Sequence, residues 1–155
     1  MPNADEHQTM VEKAQKCIDA HFKQAIAVSF IPLVSVPIVY GVCAKMIVQL
    51  DGIFGIPTAK GWDSEIIHNV FAGIIAAPAL AIPVLGAGVA SAYIKSIGES
   101  YANAVAAVVS NSTLEELSDG AIVSCRVKEE LQKIYTKQRE KRNERMKDRK
   151  MRAEV

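Results

Sequence analysis

Two stretches decide how this chain is read: FIPLVSVPIV at residues 30–39 and AAPALAIPVL at residues 76–85. Each sets two prolines five residues apart in apolar surroundings, Pro32 and Pro37 in the first and Pro78 and Pro83 in the second. A proline inside a helix removes a backbone hydrogen bond and costs about 3 kcal/mol, and the residue before it is pushed away from helical dihedrals. The spacing therefore predicts a helix break or sharp bend in each stretch. Ser35 is placed to cap the helix that follows, leaving Pro37 in its first turn.

Outward from these stretches, residues 25–44 and 70–94 carry no charged side chain. At 20 and 25 residues they reach the length of about 20 that a ~30 Å hydrocarbon layer requires. From before the first run into its start, Met10, Val11, Ala14, Cys17, Ile18, His21 or Phe22, Ala25 and Ile26 fall at the three-to-four spacing of an amphipathic helix. A second helix is predicted over 36–51, a connecting loop in DGIFGIPTAKGWDSE, a third helix over 63–77 and a fourth over 84–109. In NSTLEE, Thr113 and Glu116 stand at capping-box spacing and open a fifth helix, which passes an irregularity at Asp119-Gly120 into the C-terminal tail. The glycosylation triplet Asn111-Ser112-Thr113 is better read as that cap.

An offset of forty-six superposes Pro32 on Pro78, Pro37 on Pro83 and Gly52 on Gly98, a weak internal repeat. The expected fold is all-α with about five helices: two proline-bent apolar hairpins and a long charged C-terminal helix. The expected division is a membrane-associated helical domain over 1–112 and a charged tail over 113–155.

Formal net charge is only +1, yet residues 126–155 hold twelve Lys and Arg against six Asp and Glu, and the remainder holds six against eleven. Charge is polarised along the chain rather than absent. MPNADEHQTM has acidic residues and no basic lead into an apolar core, so it does not read as a cleavable secretory signal. Cys17, Cys43 and Cys125 are odd in number and widely spaced, which argues for reduced, structural thiols.

Catalytic patterns are missing. GIPTAKG at 55–61 has its glycines and lysine in the wrong order for a phosphate loop, and GAG at 86–88 lacks the third glycine of a dinucleotide fingerprint. Cys17 and His21 share a helix face at permissible metal-ligand spacing, but no second pair joins them, and His68 beside an apolar run suits an interfacial place. No nucleophile, base and orienting acid assemble, so neither enzyme activity nor a cofactor is expected. GAGVASAYIKSIG reads instead as a packing surface, where small residues let helix backbones approach. Gly86, Gly88, Ala92 and Gly98 are its candidates.

AKMIVQLDGIFG at 44–55, AIPVLGAGVASA at 81–92 and AYIKSIGESY at 92–101 resemble the YcjF-type helical domain. They match its KMI…(Y/F)G helix end, its IP-x-x-G stretch of small residues and its Thr-x-x-(I/L)-G close, with Lys95 near that threonine's place. The resemblance implies a membrane-associated domain of a kind that accompanies Era-like GTPase domains, here without the GTPase. A GTPase is accordingly among the protein partners it implies.

The functional expectation is a non-enzymatic, membrane-embedded helical protein that anchors or scaffolds a partner, a larger membrane complex or further copies of itself. Both termini would lie on the cytosolic or equivalent side, by the excess of Lys and Arg in the tail. The alternatives are a hairpin protein that wedges into one leaflet, and a soluble helical adaptor whose apolar helices are its core. In the tail, Lys137, Arg139, Lys141, Arg142 and Arg145 are the candidate contacts to anionic lipid or an acidic partner surface. The interspersed acids argue against nucleic acid.

Overall fold

The computed structural model describes residues 4–29, 35–57 and 83–153. The fold is all-α. Among the described residues there are five helices and no strand: α1 (Ala4–Ser29), α2 (Ser35–Phe54), α3 (Pro83–Asn111), α4 (Leu114–Ser118) and α5 (Gly120–Ala153). The expected third helix over 63–77, with Pro32, Pro78 and His68, lies outside the described residues.

Helix α1 opens with Asp5 and Glu6, whose charge suits the positive end of the helix dipole. Its buried stripe is Ala14, Ile18, His21 and Ala25, one per turn. Helix α2 begins at Ser35, so Pro37 lies in its first turn, where the lost amide had no helical partner. Pro83 is the first residue of α3, the same solution.

The second helix runs further than the sequence suggests, through Asp51 and Gly52 to Phe54. Gly55 stops it. Its φ of 66° suits a residue without Cβ, and the Ile56 amide donates back to the Asp51 carbonyl at 3.1 Å, the six-to-one bond of a Schellman end. Ile56 is itself buried, supplying the apolar contact that goes with such an end.

The expected fifth helix is two. Thr113 caps α4 by a full capping box: its Oγ1 accepts from the Glu116 amide, and its own amide donates to the Glu116 carboxylate at 2.8 Å. Asp119, with extended dihedrals, then breaks the run. Its Oδ1 accepts from the amides of Ala121 and Ile122, making it the cap of α5.

Side-chain contacts fix the helix order. His7, Ile18 and Phe22 of α1 meet Ser110, Gly98 and Lys95 of α3, so these two helices are antiparallel. Met46 and Asp51 of α2 meet Gly98 and Tyr101, so α2 and α3 are parallel. Cys17 reaches Gln49, as an antiparallel α1–α2 hairpin requires. Helix α3 is central, packed on α1, α2 and α5.

Gly120 lies against Pro57, and Arg126 beside Ser112, so α5 starts where α2 and α3 end and returns along α3. Val123, Val127 and Leu131 enter the same core as α1–α3, with Ile134 and Tyr135 packed against it. The core therefore continues past residue 113 into the first half of α5. Gly52 and Gly98, paired by the forty-six-residue offset, sit in opposite settings: Gly52 exposed, Gly98 buried.

Candidate functional site

The bundle has two unlike ends. At one lie the start of α1, the ends of α2 and α3, α4 and the start of α5. Arg126 ties this end together, donating to Ser112 Oγ at 2.8 Å and pairing with the Glu116 carboxylate. Bonding from the Thr113 amide, with Arg126 beside it, holds the Glu116 carboxyl below its ordinary pKa.

At the other end, α1 finishes at Ser29, α2 starts at Ser35 and α3 starts at Pro83. The described parts of the uncharged runs, residues 25–29, 35–44 and 83–94, lie at those three termini, so the helix directions bring these parts to one end of the bundle. Sequence alone shows each run; their convergence needs the antiparallel α1 and parallel α2.

Between the ends, Asp51 and Tyr101 are buried, with the Tyr101 hydroxyl donating to Asp51 Oδ1 at 2.6 Å. The sequence pattern sets Asp51 at the end of the second helix and the start of a loop. On α2 it shares the buried stripe of Ile47, Leu50 and Phe54, and Tyr101 meets a need that a lone buried carboxyl would leave open.

Cys17 and His21 do share a face, with Cys17 Sγ 3.7 Å from His21 Nδ1. That nitrogen lies 2.8 Å from the Cys17 carbonyl oxygen, a local bond within α1, and the thiol donates to Gln49 Oε1 at 3.4 Å. Burial raises the Cys17 pKa, the opposite of what a nucleophilic thiolate needs. Cys43, deeper, is pushed up to about 12. Among the described residues no three His, Cys, Asp or Glu side chains are grouped to hold a metal. A cleft of about 230 Å³ between α1 and α3, with Val11, Gln15, Phe54, Glu99 and Asn103 on its walls, holds one carboxylate and two amides.

Of the packing candidates, Gly98 lies where helices meet: a Cβ there would fall 2.8 Å from Ile18 Cγ1 and 3.0 Å from Met46 Sδ. Ala92 lies on the exposed side of α3, while Ser91 and Ile94 face inward. The small-residue pattern showed where close approach is possible, not which side of α3 meets a neighbour. Gly86 and Gly88 belong to the first turns of α3, whose surroundings are outside the described side chains.

In the tail, Lys137, Lys141 and Arg145 are exposed on α5, and Arg139 and Arg142 stand on the same helix with side chains outside the description. Because α5 returns along α3, this basic half points toward the uncharged end. No helix among the described residues is long and apolar enough to cross a membrane. No family model matches the chain, and no curated protein or solved structure matches it.

Proposed function

We propose that this chain is a non-enzymatic, membrane-associated helical scaffold, seated by its uncharged end and presenting the rest of the bundle and α5 to a partner protein. The observation that carries the reading is the convergence of the α1, α2 and α3 termini, each adjoining an uncharged run, on one end of the bundle, with Asp5, Glu6, Glu116, Asp119 and Arg126 at the other. A water-exposed protein has no need to gather its uncharged sequence at one pole. A bilayer supplies one.

Helix length favours a seat in one leaflet over a crossing. From Lys45 back to Ser35, α2 rises about 15 Å, and from Lys95 back to Pro83, α3 rises about 18 Å, at 1.5 Å per residue. Half of a ~30 Å hydrocarbon core is about 15 Å. Backbone groups at that depth must be satisfied or covered, and prolines at the starts of α2 and α3 remove one unpaired amide from each helix end. The reading stands on this arrangement and does not need the YcjF-type resemblance, which points the same way.

Flotation of the purified chain with phospholipid vesicles, followed by carbonate washing, tests it. The scaffold reading expects the chain to float with the vesicles and to remain after the wash, with or without residues 136–155. A folded, monomeric chain that stays in the aqueous fraction in every lipid mixture would refute it and favour the soluble adaptor.

A further inference from the structure

Each of the three helices that reach the uncharged end passes from charged to uncharged sequence at a lysine. Lys23 is the last charged residue of α1 before the run at 25–44, Lys45 is the first charged residue of α2, and Lys95 is the first of α3. They are far apart in sequence, yet the packing sets them at one level. Gly98 touches Ile18 and Met46 and so fixes a common height on the three helices. From that height toward the uncharged end, Lys45 stands about 1.5 Å up α2, Lys95 about 4.5 Å up α3 and Lys23 about 7.5 Å up α1, at 1.5 Å of rise per residue. The spread, about 6 Å, is within the reach of one lysine side chain.

All three lysines are exposed. The Lys95 ammonium lies 5.9 Å from the centre of the Phe22 ring, which places it beside the turn of α1 that carries Lys23. On α1 and α3 the nearest acids fall on the charged side of this level. Glu99, one turn further along α3, lies 4.0 Å from Lys95, and Asp19 precedes Lys23 on α1 by one turn. Beyond the lysines, the runs 25–44 and 70–94 contain no acid at all.

We infer that Lys23, Lys45 and Lys95 form a collar that binds the headgroups of anionic phospholipid and sets the depth to which the uncharged end enters the bilayer. The inference rests on the membrane seat proposed above and adds the lipid class and the residues that read it. The chemistry is that of an interface: apolar sequence on one side, flexible ammonium groups at the boundary, and negative surface charge to meet them. The basic half of α5, directed to the same end, adds to the attraction without fixing depth.

The test uses the full chain and vesicles of phosphatidylcholine, with and without phosphatidylserine. The chain is expected to bind the serine-containing vesicles more than tenfold tighter, and the combined variant Lys23→Gln, Lys45→Gln, Lys95→Gln to lose most of that gain while keeping its helical circular-dichroism spectrum. The corresponding triple arginine variant, which keeps the charge, is expected to bind like the parent. Undiminished binding of the glutamine variant to anionic vesicles would overturn the collar. Equal binding of the parent to both vesicle types would also overturn it, leaving the membrane seat standing. Binding to neither would overturn the seat and the collar together.

Discussion

Replacing Gly98 by alanine sets two effects of opposite sign against each other. In the interior of a helix, alanine is favoured over glycine by about 0.5–1 kcal/mol, because glycine loses more backbone freedom on folding. At residue 98, however, the added methyl meets Ile18 Cγ1 at 2.8 Å, Met46 Sδ at 3.0 Å and Ile18 Cγ2 at 3.1 Å. The methionine can swing aside. The isoleucine cannot, since both atoms belong to a β-branched side chain that is 1% exposed between α1 and α3. Forcing a methyl into a filled core costs about 1–3 kcal/mol, so the steric term should win and Gly98→Ala should lose about 1 kcal/mol net. Ile18→Ala alone should lose about 2–5 kcal/mol. The double variant should recover at least about 1 kcal/mol relative to the sum of the two, because the new methyl then enters the space that Ile18 vacates. Urea unfolding followed by circular dichroism measures all three. A Gly98→Ala chain more stable than the parent, or strict additivity with Ile18→Ala, would refute the close contact on which the α1–α3 packing is built.

Two tyrosines should respond oppositely to the loss of their hydroxyls. Tyr101→Phe removes a donor to buried Asp51 and should cost about 2 kcal/mol in the same unfolding assay. Tyr135→Phe should be neutral or slightly stabilising, since that hydroxyl is buried without a hydrogen-bond partner among the described residues. Thiol labelling followed by mass spectrometry should find Cys125 fastest, Cys17 slower and Cys43 protected until unfolding, because Cys125 is exposed and burial raises the other two pKa values. The Glu116 carboxyl titrates lower in the folded chain than in the unfolded one, so its contribution to the capping box is full above the unfolded pKa and fades as pH falls through the folded one. Glu116→Gln should therefore flatten the acid limb of a stability–pH profile, and an unchanged limb would show that the cap and Arg126 do not set it.

How much of this was legible in the sequence depends on whether the deciding interaction is local. The Thr113–Glu116 box, the proline helix starts and the all-α character are local, and the sequence carries them. The end of α2 was local but ambiguous, because Gly52 and Gly55 both offer a stop; only the second takes positive φ and closes the bond to the Asp51 carbonyl. The Asp51–Tyr101 pair spans fifty residues, and nothing in either segment marks the other. Likewise the small residues from Gly86 to Gly98 mark a stretch of α3 where approach is possible, but facing Ile18 or facing solvent is a matter of helix rotation, settled by the neighbours. The lysine boundary is the same kind of fact. Each lysine is visible in the sequence, and their common level exists only once α1 runs against α2 and α3.

The proline pairs can be understood from the ends they occupy. Every helix start leaves amides without helical acceptors, and water ordinarily satisfies them. At a charged end such amides also find side chains, as Thr113 and Asp119 show for α4 and α5. The sequence around the starts of α2 and α3 has no acid and, Ser35 apart, little that accepts a hydrogen bond. An amide left unpaired and away from water costs about 1–3 kcal/mol, and a residue with no amide avoids that cost. Proline at position 37 or 83 removes one donor and keeps φ near its helical value, at no loss of a helical bond. The same residue that would break a helix in its middle thus starts one within apolar sequence. Pro37 and Pro83 stand where helices begin rather than where one is broken, and the two starts share an end because the body of the bundle aligns α2 with α3.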